Sequence, residues 1–154
     1  MKPKVYIDGK DGTTGLQIYD RLAARDDIDL LLIDEAKRKD PDERKRLMAE
    51  ADIVFLCLPD AAAVEAVALA EGSGARMIDA STAHRTAPGW VYGFPELRPG
   101  QREAIAGARH VANPGCHATG FISIVAPLVQ AGLLSADADL CCFSHPGYSG
   151  GGKK

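Results

Sequence analysis

Two short stretches of the 154-residue chain carry residue types that could do chemistry. The first is Asn113-Pro114-Gly115-Cys116-His117-Ala118-Thr119-Gly120. Pro114 and Gly115 set a turn, and the apolar pattern that follows predicts a helix from Cys116 to about residue 129 or 133. That puts a thiol in the first turn, where unpaired amide hydrogens and the positive end of the helix dipole favour the nucleophilic thiolate. The same amides could hold a developing oxyanion, so the position suits covalent acyl chemistry with Cys116 as nucleophile. An unreactive thiol packed at a helix start is the plain alternative. His117 is adjacent, but successive helix positions point about 100° apart, so it does not stand out as the base. His84, His110 and His145 are not distinguished by sequence either. The second stretch, Gly9-Lys10-Asp11-Gly12-Thr13-Thr14-Gly15, joins a strand pattern to an amphipathic helix pattern. Glycines there let the backbone approach phosphate oxygens, the helix start supplies N–H groups, and Thr13 and Thr14 add hydroxyls. The spacing departs from G-x-G-x-x-G, and a tight strand–helix turn would also want glycine.

These residues need a frame, and the rest of the chain supplies one. Strand patterns at Lys4–Asp8, Ile28–Ile33, Ile53–Leu58, Arg76–Ala80 and Arg109–Ala112 alternate with helical ones. Pro41 reads as the first residue of a helix behind an Asp40 cap, and Asp60 as the cap of an alanine-rich helix closed by Gly72-Ser73-Gly74. A short helix over Pro99–Ala106, a short edge strand over Trp90–Phe94 and a last strand over Asp139–Ser144 complete the pattern. Alternation of this kind predicts an α/β fold: a Rossmann-type, doubly wound, mainly parallel sheet, plus the first elements of a second α+β domain. The expected division is 1–115 for dinucleotide binding and 116–154 for the nucleophile helix and the first strand of an incomplete catalytic domain.

Asp34 ends the second strand pattern, where an acid often takes the ribose hydroxyls of NAD. Lys37, Arg38 and Lys39 follow and would instead suit a 2′-phosphate, which tilts the reading to NADP(H) with Arg38 as a contact. Ser81 and Thr82 follow the carboxyl end of the fourth strand, where open α/β sheets bind ligands.

Composition excludes other classes. Hydrophobic residues are 46%, charged residues 25% and net charge is −3, an ordinary globular balance without the basic excess of a nucleic-acid binder. Apolar runs such as Phe121–Val129 are far short of the roughly 18 residues of a membrane span. The start of the chain lacks a secretory leader's apolar core. Cys57, Cys116, Cys141 and Cys142 form no C-x-x-C and no metal-ligand spacing. Reduced thiols, a cytoplasmic location and no metal are therefore expected, with Cys57, Cys141 and Cys142 as packing residues inside strands.

Four segments together resemble the N-acetyl-gamma-glutamyl-phosphate reductase family, in its shorter variant group, which is similar in plan to aspartate-semialdehyde dehydrogenase. They are Gly9–Gly15, Asp79-Ala80-Ser81-Thr82-Ala83-His84-Arg85, Tyr92-Gly93-Phe94-Pro95-Glu96-Leu97, and Asn113–Thr119. Gly147–Lys154 is similar to the start of the family's S-G-x-G segment. The resemblance implies that Cys116 attacks an acyl phosphate, releasing phosphate and forming a thioester that NADPH reduces to an aldehyde. It implies substrate contacts from Arg85 and Asn113, and cofactor contacts from Gly9, Gly12, Thr13, Thr14, Gly15, Arg38, Ser81, Ser149 and Gly150. Members of the family are longer, and their second domain supplies the general acid/base histidine and usually the subunit interface of a homo-oligomer. The chain therefore reads as truncated, with little turnover of its own and an orphaned strand at 139–144 exposing an edge. An aspartyl-phosphate reductase and a non-catalytic dinucleotide-binding module remain the alternatives.

Overall fold

The computed structural model describes residues 1–10 and 12–145. Six strands form one sheet: β1 (Lys4–Asp8), β2 (Asp29–Leu31), β3 (Ile53–Leu56), β4 (Arg76–Asp79), β5 (Val91–Tyr92) and β6 (His110–Ala112). The order across the sheet is β2-β1-β3-β4-β6-β5, and every pairing is parallel. Five α-helices accompany them: α1 (Thr13–Ala23), α2 (Pro41–Glu50), α3 (Asp60–Leu69), α4 (Gln101–Gly107) and α5 (Cys116–Gln130). The α/β expectation holds, with a wholly rather than mainly parallel sheet.

Strand apolarity explains the core. Tyr6, Val54, Leu56 and Met77 are buried and meet Leu47 and Met48 of α2, Ala66 of α3 and Ala70 at its C-cap. Val5 and Ile7, alternating with Tyr6 along β1, are buried as well, so β1 is covered on both faces. Met48 is completely buried, a burial that stabilises by about 1.5–3 kcal/mol. Asp40 caps α2 as expected, accepting from the amides of Asp42 and Glu43 behind Pro41.

Three expectations are corrected. Asp34 does not end a strand: β2 stops at Leu31, and the Asp34 carboxylate caps a 3-10 turn at Glu35–Lys37 by accepting from Ala36 N. Asp60 is not the cap of α3 but its first residue, behind Pro59, and its carboxylate accepts from the amide and hydroxyl of Thr82. Residues 139–144 form no strand, because no described segment offers them a ladder partner. Cys141 and Cys142 are accordingly exposed rather than packed.

Candidate active site

The sheet reverses winding direction between β1 and β3, and the Gly9–Gly15 turn sits at that point, at the carboxyl ends of both strands. Gly9 has φ +85°, and a Cβ there would lie 2.3 Å from the Cys57 carbonyl oxygen at the end of β3. A Cβ on Gly15 would lie 2.3 Å from the Gly9 carbonyl oxygen. Both glycines are demanded by the turn itself. Gly12 is different: it is the N-cap of α1 with φ −73°, and a Cβ there would meet only ordinary contacts at 3.5 and 3.7 Å. No side chain caps α1, which leaves its first amides open toward a ligand. Thr13 and Thr14 occupy the first turn.

Beside this turn lies a cleft of about 330 Å³, lined among others by Gly9, Lys10, Leu32, Arg38, Lys39 and Arg44. It is a suitable size for the nucleoside end of a dinucleotide. Its floor is an ion pair that sequence reading did not find: Arg44 donates to Asp8 Oδ2 from Nη2 at 2.7 Å and from Nε at 3.2 Å, and from Nε to Oδ1 at 3.3 Å. The pair is nearly buried on both sides. Burial alone would lower the Arg44 pKa, but the Asp8 hydrogen bond and charge outweigh it and the net direction is up. Lys10 stacks over Tyr19 at 4.1 Å. Arg38 lines the cleft and forms a 2.8 Å ion pair with Glu35, whereas Asp34 is absent from the lining.

At the carboxyl ends of β4 and β6 several polar side chains converge. Ser81 follows β4 and is buried, its hydroxyl donating to Asp79 at 2.6 Å and accepting from Ala83 N. That hydroxyl is committed inside the turn. The turn carries Arg85 onto Gly115, where a Cβ would lie 2.7 Å from Arg85 Nη1. Arg85 Nε is buried and finds no hydrogen-bond partner among the described residues. Thr82 holds the Asp60 carboxyl below the usual carboxylate range by two hydrogen bonds, with the Arg85 charge adding to the effect. Asn113 N donates to Asp79 O at 2.7 Å, fixing the turn into α5, and Asn113 Nδ2 donates to Pro114 O.

Cys116 is exposed at the first position of α5, whose N-cap is Gly115 with no side-chain cap. A thiol and open amides thus stand beside a guanidinium. Cys57 contrasts with it: burial, then the charges of Asp79 and Asp8, push its thiol up to about 12, so it is inert at neutral pH. His117 Nδ1 lies 2.5 Å from Ser144 Oγ. Ser149 and Gly150 lie outside the described residues.

Sequence reading also missed a buried polar cluster behind Arg85. Asp79 is fully buried and accepts from Ser81 N, Ser81 Oγ and His84 Nδ1, the last at 2.6 Å. His84 stacks on Trp90 at 4.1 Å between centroids, and Trp90 stacks on His110 at 4.9 Å. An acid closing a strand directly after Met77 and Ile78, followed five residues later by histidine, was the available signal.

The family model for the semialdehyde dehydrogenase NAD-binding domain matches residues 22–108, more than half the chain. Among curated proteins, N-acetyl-gamma-glutamyl-phosphate reductase of Trichormus variabilis is 58% identical over 152 residues, 99% of this chain and 47% of the relative. The protein of the same name from Brucella ovis is 57% identical over 155 residues, covering 100% and 50%. The chain thus spans about half the length of the curated relatives it matches. Among solved structures, aspartate semialdehyde dehydrogenase II from Vibrio cholerae superposes with a TM-score of 0.65 at 17% identity, over 85% of this chain and 47% of that one.

Proposed function

The chain belongs to the semialdehyde dehydrogenase NAD-binding domain family, and from that premise we propose that it supplies the dinucleotide site and nucleophile of an acyl-phosphate reductase. The substrate proposed is N-acetylglutamyl 5-phosphate, as the names of the half-matching relatives suggest. The observation that carries the reading is Arg85 lying against Gly115, one residue before an exposed Cys116 on an uncapped helix start.

The residues fit a dinucleotide: the turn at Gly9–Gly15 leaves room at Gly12, and the cleft lies next to it. Gly9, Gly12, Thr13, Thr14 and Gly15 would face the pyrophosphate. Arg38, Lys39 and Lys10 beside the cleft, with Asp34 spent on its own turn, favour a 2′-phosphate and hence NADP(H). The Cys116 thiolate attacks the acyl carbon, the C–O bond to phosphate breaks, and a thioester forms. Arg85 pairs with the departing phosphate. The first amides of α5 hold the oxyanion of the tetrahedral intermediate. When bound, NADPH supplies the hydride that takes the thioester to the aldehyde level. Cys116 then departs as thiolate, returned to the same amides.

None of His84, His110 and His117 is assigned as the general acid/base, since His84 and His110 are stacked on Trp90 and His117 is engaged with Ser144. We assign α5 to the start of a second domain: it has no buried residue and exposes Phe121, Ile124 and Leu128. The test is acylation. Mass spectrometry after incubation with N-acetylglutamyl 5-phosphate should find the acyl group on Cys116, and none in Cys116→Ser. Acylation spread equally over Cys116, Cys141 and Cys142, or absent, refutes the reading.

A further inference from the structure

Arg85 reaches Gly115 only because the backbone reverses between Ala80 and Trp90, and little of that reversal is regular structure. Its organiser is the buried Asp79 carboxylate at the end of β4, with three donors converging on it: Ser81 N at 2.9 Å, Ser81 Oγ at 2.6 Å and His84 Nδ1 at 2.6 Å. A carboxylate only accepts, so the His84 proton sits on Nδ1. His84 is the residue immediately before Arg85, so wherever its ring is fixed the Arg85 backbone is fixed too. The ring is held on its face by Trp90, nearly parallel at 15°, and Trp90 is backed by His110 of β6. The Ala87 amide closes the turn by donating to the His84 carbonyl at 3.2 Å. On the other side, Thr82 is tied to Asp60 of α3. The guanidinium is therefore held through its neighbours, while its own Nε remains without a partner among the described residues.

We propose that His84 is a positioning residue for the anion site: pinned between the Asp79 carboxylate and the Trp90 ring, it aims Arg85 at the start of α5. The inference rests on the reading of Arg85 as the phosphate-binding group beside Cys116. His84 itself touches neither substrate nor thiol in this role. Its buried hydrogen bond converts the end of a sheet strand into a fixed address for a positive charge. Such a supporting contact matters because a side chain displaced by about 1 Å loses much of its effect on a reacting centre.

Alkylation of the folded chain tests this without the complete enzyme. Iodoacetate and iodoacetamide differ by one carboxylate, so the ratio of their rates at Cys116 reads the nearby positive charge. The intrinsic reactivity of the thiol cancels in that ratio. In the parent chain the ratio at Cys116 should exceed that at Cys141 and Cys142 by about tenfold, the low end of what a focused charge does to a local anion concentration. Arg85→Ala should remove the excess. His84→Phe keeps a ring against Trp90 but deletes the donor to Asp79, and should lose most of the excess although Arg85 is intact. His84→Asn restores a donor close to the Nδ1 position and should recover it. An unchanged ratio in His84→Phe alongside a lowered one in Arg85→Ala overturns the role of His84 and leaves Arg85 in place. No effect of Arg85→Ala overturns the phosphate reading, and the positioning role with it. If His84→Phe fails to fold, His84→Leu, which also deletes the donor to Asp79, takes its place: a lost excess supports the role and a parental one overturns it.

Discussion

Alanine placed at Gly9 and at Gly12 should have opposite consequences, although the residues are three apart in one turn. At Gly9 an alanine must adopt φ +85°, which costs about 1–2 kcal/mol. Its Cβ would also stand 2.3 Å from the Cys57 carbonyl oxygen and 2.9 Å from the Cys57 carbonyl carbon. Those are backbone atoms at the end of β3, and no side-chain rotation relieves the overlap. The total is expected to reach about 3 kcal/mol or more, in the range of the most damaging single substitutions. At Gly12 the backbone is ordinary and the new methyl meets only contacts of 3.5 and 3.7 Å. Reduced freedom of the unfolded chain, about 0.4–1 kcal/mol in favour, roughly offsets the weaker capping by alanine. Stability should therefore stay within about 0.5 kcal/mol of the parent. Dinucleotide affinity should not, since the methyl crowds the helix start where phosphate oxygens must approach. Losing a charge-assisted hydrogen bond there, about 1.5–3 kcal/mol, weakens binding about 10- to 150-fold. Urea unfolding followed by circular dichroism gives the first quantity, and calorimetric titration with NADPH the second. The reasoning fails if Gly12→Ala unfolds as readily as Gly9→Ala, or binds NADPH as tightly as the parent.

Replacing Arg44 by Met leaves the buried Asp8 carboxylate without its counter-ion, and should cost about 3 kcal/mol in urea unfolding; a change below about 1 kcal/mol would show that Tyr6 and solvent suffice. Arg38→Ala should weaken NADPH binding about tenfold while leaving NADH nearly unchanged, as read by titration with each, because one phosphate contact is lost. Burial, then the charges of Arg109 and His84, lower the His110 pKa. The unfolded chain then binds the extra proton first, so the stability this group contributes is full above about pH 6.5 and declines as pH falls toward the depressed folded value. His110→Gln should flatten that part of the pH–stability curve, and an unaltered curve would remove His110 as its source.

The parts of the molecule governed by local chemistry were legible in the sequence. Asp40-Pro41 announces a helix start, Gly9–Gly15 announces a tight turn from strand to helix, and Cys116 after Pro114-Gly115 announces a thiol at a helix start. What escaped depends on register. Arg44 meets Asp8 across 36 residues, and Trp90 meets His110 only because β5 and β6 pair in parallel. A strand is likewise a property of a pair, so the apolar composition of 139–144 could suggest one without being able to make it. Asp60 shows the same limit at short range: its type suits a cap, but Pro59 took that position and Thr82 offered better donors.

The uniform direction of the six strands has a practical corollary. Among the described residues, the groups proposed for a chemical task sit on one rim, which leaves the other rim as a handle. Residues 25–28 and the Gly72–Gly74 loop are there, and a side chain added at Gly74 would meet no heavy atom within 4 Å. A group attached at Gly74 would hold the chain to an electrode or a bead with the cleft beside Gly9–Gly15 and Cys116 turned toward the bulk liquid.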